Sequence, residues 1–259
     1  RALVDGAAIA DRADSLLILI AAGGYLTAAL LTGRLNKYEI GPLEHEKAAA
    51  SFSQGFIDLR EGIEFLRKHI DAGRGIVATA VHRGGLTALT LTALLLERNT
   101  FNDPSRPADG LQGFGVALTI AGAGVFLGAF LAPYGVARYG RHRWIKFAMF
   151  ASALSPVFLA ISQTQIALSL TAFLAAFFGQ NIKVTNDALV QSKIDDYYRG
   201  RVFAVYDVIV NSAIVSGGLI AALLLPASGV TAKVPLFVMG AYFLVAVITL
   251  RTSKFKATY

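Results

Sequence analysis

Arg83, with His82 beside it, stands eight residues into an apolar run over 75–96, roughly 12 Å along a helix that rises 1.5 Å per residue. A charged side chain at that depth costs about 2.5 to 3.5 kcal/mol on insertion scales, which makes it a functional candidate. The planar fork of Arg83 suits bidentate pairing with a carboxylate or phosphate of a substrate. Pairing with an acid elsewhere in the protein, or snorkelling toward the interface, are the alternatives. His82 reads as a packing residue rather than a proton carrier. Two further polar stripes interrupt apolar stretches: Gln180, Lys183 and Asp187 follow at steps of three and four on one helix face, and Asp207 and Asn211 are four apart on another. Arg83, Gln180 and Asn211 are therefore candidate substrate-binding residues. Lys183 can pair with Asp187 on its own helix or reach Asp207 on the next, so these three are candidates for gating or coupling. A permanent pair lowers the cost of burial, whereas a cation that exchanges carboxylates favours different conformations in turn.

Other chemistry is excluded by residue supply. The chain has no cysteine, which removes disulfides, thiolate metal sites, iron–sulfur clusters and thiol nucleophiles. His45, His69, His82 and His142 lie far apart, with no pair spaced to put two imidazoles on one helix face, so no metal site is expected. No Ser-His-Asp arrangement can be assigned, no enzymatic motif is present and no cofactor is implied. Gly124 and Gly128 form a Gly-x-x-x-Gly helix contact rather than a phosphate loop.

The elements that must position these residues follow from composition. Of 259 residues 55% are hydrophobic and 16% charged, where a soluble domain carries about 25% charged residues. Seven apolar runs, near 15–33, 75–96, 114–136, 144–162, 166–188, 202–226 and 233–250, each approach the ~20 residues a helix needs to cross hydrocarbon. The fold class expected is all-α, a polytopic helical membrane protein. Of the 24 lysines and arginines, 17 fall in one alternate set of connections, the set that the positive-inside bias assigns to the cytoplasm. The loops at 34–74, 137–143 and 189–201 and the tail from 251 are then cytoplasmic, and the basic surplus faces the inner leaflet rather than nucleic acid. The chain opens on Arg1 with an odd number of spans, as expected for the later part of a longer protein.

Within the long loop, Phe52, Phe56, Leu59, Ile63, Leu66 and Ile70 repeat at steps of three and four, which predicts an amphipathic helix on the membrane surface or under the bundle. Ser51 with Gln54 offers a capping box, and Arg60 with Glu64 and Glu64 with Lys68 are paired charges on its polar side.

Two further segments stand out. Val136-Ala137-Arg138-Tyr139-Gly140-Arg141-His142-Arg143 lies between the third and fourth runs, and Asp195-Asp196-Tyr197-Tyr198-Arg199-Gly200-Arg201-Val202-Phe203-Ala204 precedes the sixth. With Glu61-Gly62-Ile63-Glu64-Phe65-Leu66-Arg67-Lys68-His69, they resemble the major facilitator superfamily of secondary transporters, in its bacterial drug-exporter-like branch. The resemblance covers the whole chain. It implies helices six to twelve of a twelve-helix fold, with 1–33 as an extracellular segment and the last helix of the first half, 34–74 as the central cytoplasmic loop, and 75–259 as the six-helix second half. The 136–143 segment is similar to the second copy of the family's Gly-x-x-x-Asp-Arg-x-Gly-Arg-Arg loop. Arg138, Gly140 and Arg141 match, with Arg143 one residue past the last arginine position, while Ala137 replaces the aspartate and Pro133 the leading glycine. The resemblance implies gating roles for Arg138 and Arg141, which the loss of the aspartate sets against plain dipole-capping cations.

The implied function is secondary active export of a small amphipathic or anionic molecule by alternating access, coupled to an ion gradient, in the cell membrane with the carboxyl terminus cytoplasmic. A transport-incompetent scaffold or partner subunit of the same fold, and a lipid translocator, are the alternatives. The expected partners are the small-molecule substrate, membrane lipid, the N-terminal half of the same protein and partner membrane proteins, with no nucleic acid.

Overall fold

The computed structural model describes residues 2–34, 52–194 and 196–248, and divides them into two units meeting at Phe52 and Ser53. Among its described residues the first unit has the helix α1 (Ala2–Gly33), which begins well before the apolar run and carries Leu16, Ile18, Tyr25 and Leu30 exposed. A helix apolar all round is the pattern of one surrounded by hydrocarbon or by other helices.

The second unit holds α2 (Phe52–Lys68), α3 (Ile70–Leu96), α4 (Pro107–Tyr139), α5 (Arg141–Ile161), α6 (Gln165–Lys193), α7 (Asp196–Leu224) and α8 (Lys233–Ile248). Each predicted run coincides with one helix; the runs ending at 162 and 226 overshoot their helices by one and two residues, and residues 249–250 of the last run lie outside the described residues. The expectation of an all-helical membrane protein holds. By length and hydropathy, four helices among the described residues suffice to cross a membrane, namely α4, α5 and most of α6 and α7, while Ile18–Gly33 and Lys233–Ile248 are apolar but shorter. α3 is long enough, but His82, Arg83 and its threonines dilute its hydropathy.

α3 packs along α7, α8 and α6; α6 packs along α4 and α5; α5 packs along α8. With lipid as apolar as the core, close backbone approach matters more than hydrophobic area. A Cβ at Gly124 would stand 2.5 Å from Phe173 O, and one at Gly128 would overlap Phe177 O, so the Gly-x-x-x-Gly face is where α4 meets α6. Gly84 and Gly217 meet in the same way between α3 and α7. The main core gathers Leu89, Leu96, Met149, Leu159, Ile182 and Tyr242.

The two alternate sets of connections lie at opposite ends of this unit. At one end a π-helical turn, Glu97–Phe101, follows α3, and Asn99 and Thr100 donate to Ala227 O at 2.5 Å and Ser228 O at 2.6 Å in the α7–α8 connection. At the other end a second core joins Leu66, Ile76, Val190, Val202 and Tyr206. This places α2 under the bundle.

α2 docks differently from its apolar stripe. Leu66 is buried and Leu59 half-buried, but Phe56 is 65%, Ile63 39% and Ile70 58% exposed. The docked line runs through Gly62, where a Cβ would stand 2.7 Å from Arg201 O, and through Asp58 and Glu61, which bind Arg201 at 2.9 and 3.2 Å. The docking is therefore partly ionic, which a hydrophobic pattern does not register. The helix stops at His69, whose Nδ1 lies 3.0 Å from Phe65 O and whose ring stacks on Phe65. Arg60 pairs with Glu64 at 3.0 Å as expected. Ser51 of the capping box and the tail cations lie outside the described residues.

Candidate functional site

The polar residues of the α2 end converge where α3, α6 and α7 face one another. Lys183 Nζ donates to Asp187 Oδ2 at 2.5 Å, one turn along α6, and the Tyr206 hydroxyl of α7 donates to Asp187 Oδ1 at 3.0 Å. The pair is half-buried, with the Lys183 side chain 38% and the Asp187 side chain 23% exposed. Next to it Asn186 is fully buried, as is Thr185, whose Oγ1 has no hydrogen-bond partner among the described residues. Gly75 makes room for the Asn186 amide, which a Cβ there would overlap. One helical turn further along α3, Thr79 donates to Gly75 O at 3.0 Å.

His82 is fully buried, stacked on Tyr242 with ring centroids 4.8 Å apart and seated against Gly179 of α6. The Tyr242 hydroxyl donates to His82 O at 2.8 Å, which joins α8 to α3. Packing is thus what this histidine does, while its neighbour Arg83 is half-buried and has no carboxylate partner among the described residues. Since His82 lies against Gly179 and Gly75 against Asn186, Arg83 is level with the Gln180 end of the α6 stripe and about two helical turns from the level of Asp187. Gln180 is half-buried beside Gly128 of α4.

The remaining candidates lie apart from this pair. Asp207 is exposed and is not joined to Lys183, and Asn211 is exposed and donates to Asp207 O at 2.8 Å within α7. Of the two carboxylates expected as partners of Lys183, Asp187 holds it. In the connection between α4 and α5, Arg138 is exposed over the Tyr139 ring, 5.8 Å from its centroid. Arg141 Nη1 donates to Ser192 Oγ at 2.5 Å, tying that connection to the end of α6. Between them Gly140 has φ +78° and ψ 151°, a backbone shape open only to glycine.

Sequence reasoning missed three features: the Tyr206 hydroxyl on Asp187, Arg201 as the clamp on α2, and Glu97, which is buried in the π-helical turn with Asn102 Nδ2 donating to its Oε2 at 3.0 Å. For Tyr206 the only signal was a tyrosine next to Asp207 in an apolar run.

Comparison with known proteins fits this architecture. The family model described as transmembrane secretion effector, of the MFS type, matches residues 56–258. MFS-type transporters of Mycobacterium bovis and Mycobacterium tuberculosis are each 31% identical over 168 residues, covering 64% of this chain and 36% of theirs. The matched segment thus spans about a third of these relatives. A crystal structure of the nucleoside transporter NupG superposes with TM-score 0.58 at 14% identity, over 81% of this chain and 54% of that one, which shows a shared fold. A bundle of apolar helices meeting at glycines, with a family match over most of its length, makes this an integral multi-pass membrane protein, and the chain belongs to the transmembrane secretion effector family of the major facilitator superfamily.

Proposed function

We infer that the protein is a secondary active transporter that exports a small amphipathic or anionic molecule across the cell membrane by alternating access, driven by an ion gradient. The observation that carries this reading is Arg83, a half-buried guanidinium in an apolar helix with no carboxylate partner among the described residues. Such a cation is costly in hydrocarbon and is stabilised by an anion arriving from elsewhere. The family's description as a secretion effector favours the outward direction. Arg83, Gln180 and Asn211 contact the substrate in this reading. Lys183, Asp187 and Asp207 form the inner gate, with Lys183 leaving Asp187 for Asp207 as the helices move. Arg138 and Arg141 set the α4–α5 connection against α6. The carboxyl terminus is cytoplasmic.

A transport-incompetent scaffold of the same fold is favoured by one feature, Ala137 at the aspartate position of the signature loop. The two readings separate in one experiment. The purified full-length protein is challenged with a panel of small anionic and amphipathic compounds in a thermal-stability assay, and stabilising compounds are tested for movement in vesicles with an imposed pH gradient. Gradient-dependent movement of a stabilising anion is expected; stabilisation without movement in either direction would favour the scaffold.

A further inference from the structure

Where α4 meets α5 and α6, Tyr134, Tyr139, Arg143, Trp144, Phe147 and Phe177 border a cavity of about 590 Å³. That volume is within the usual range of small-molecule sites, about 300 to 1,000 Å³. Its floor is built rather than accidental. Gly135 leaves the space that the indole of Trp144 fills, since a Cβ there would overlap the ring. In that position Trp144 Nε1 donates to Asn181 Oδ1 at 3.2 Å. Asn181 is fully buried, and its Nδ2 donates to Phe177 O at 2.8 Å, so the acceptor that holds the indole is itself held. Tyr139 and Phe147 stack on Trp144 with centroids 5.9 and 5.5 Å away. Tyr134 and Phe147 leave large aromatic surfaces exposed.

The rim is cationic. Arg143 borders the cavity, Arg138 lies over the Tyr139 ring, and Lys146 follows within a turn of Arg143. The sequence has no aspartate or glutamate between Asp109 and Asp187. None of Arg138, Arg143 and Lys146 has a carboxylate partner among the described residues. An aromatic cavity with such a rim complements a molecule with an anionic head and an apolar body. Its position, at the ends of two membrane-length helices and among the tryptophan and tyrosine that favour the membrane interface, selects the source of that molecule. The geometry points to an anionic phospholipid held in this cavity, with its phosphate at Arg143 and an acyl chain along Trp144 and Phe147. The site is independent of the transport reading.

Trp144 is the single tryptophan of the 259 residues, which allows a direct test. The full-length protein is reconstituted in phosphatidylcholine vesicles containing increasing fractions of either phosphatidylglycerol or phosphatidylcholine with brominated acyl chains, and tryptophan quenching is recorded. A Trp144→Phe variant supplies the contribution of any tryptophan elsewhere in the full-length protein. Half-maximal quenching of Trp144 is expected at a brominated phosphatidylglycerol fraction lower by roughly five-fold than for the neutral lipid. The ratio should fall to about one in Arg143→Gln and recover in Arg143→Lys, as one surface cation would require. Equal quenching by both lipids in the unmodified protein would make the occupant ordinary surrounding lipid and overturn the proposal. Quenching by neither would mean that protein covers the cavity, and would overturn it as well.

Discussion

Asp187 sits between two donors of different kinds, an ammonium from its own helix and a hydroxyl from α7. The i,i+4 pair with Lys183 is the contact that sequence spacing allows, and partly exposed pairs of this sort contribute little to stability. The Tyr206 hydroxyl reaches across from another helix and comes from a buried ring, so its loss should be the more visible. Tyr206→Phe is expected to lower stability by about 1 kcal/mol, read as a reduced thermal midpoint of the detergent-solubilised protein. If Lys183 does no more than pair with Asp187, the exchange of Lys183 and Asp187 should lie closer to the parent than Asp187→Lys alone; an exchange as damaging as the single replacement would mean that Lys183 has further partners. At this scale the sequence was a fair guide to residue types and a poor one to partners. Lys183 and Asp187 were visible as an i,i+4 pair, and His82 as packing. Tyr206, Asn186 and Gly75 were not, because they meet only through the crossing of α3, α6 and α7.

Among the elements, α2 and the α4–α5 connection depend on particular residues rather than on apolar area. Arg201 holds Asp58 and Glu61 of α2 against the start of α7. Arg201→Gln should free this helix, seen as faster proteolysis within 52–68 while the bundle stays intact; unchanged cleavage would show that Leu59, Leu66 and the close approach at Gly62 are sufficient. Gly140 makes the sharp break between α4 and α5, with open space around it, so the cost of a side chain there is backbone strain alone. Gly140→Ala is expected to cost about 1 to 3 kcal/mol, again read by thermal unfolding. Helix positions were legible because apolar runs of this length have few other structures open to them. The docked face of α2 was not, since part of it is polar and its apolar stripe leaves Phe56, Ile63 and Ile70 exposed.

For the whole molecule, the described connections of the second unit lie alternately at its opposite ends. One end has the π-helical turn tied to the α7–α8 connection, and the other has α2, the α4–α5 connection and the end of α6. The cationic end should face the cytoplasm. The 259 residues contain no cysteine, so a cysteine placed at 141 or at 105 reports cleanly on each end. In intact cells a membrane-impermeant thiol reagent should modify Ser105→Cys and spare Arg141→Cys. The reverse pattern would invert the topology and, with it, the assignment of Lys183, Asp187 and Asp207 to an inner gate.

In the proposed function Arg83 is held in the membrane for an anion that the protein moves. The decisive measurement is gradient-driven transport in vesicles containing the full-length protein, the Arg83→Leu variant or the Arg83→Lys variant, using the anion found by thermal stabilisation. Arg83→Leu should abolish both transport and stabilisation by the anion while leaving the unliganded thermal midpoint unchanged or raised, because an expensive cation has been removed. Arg83→Lys should retain a charge without the planar fork and keep a reduced rate. Transport by Arg83→Leu at the full rate, with stabilisation by the anion intact, would contradict the account.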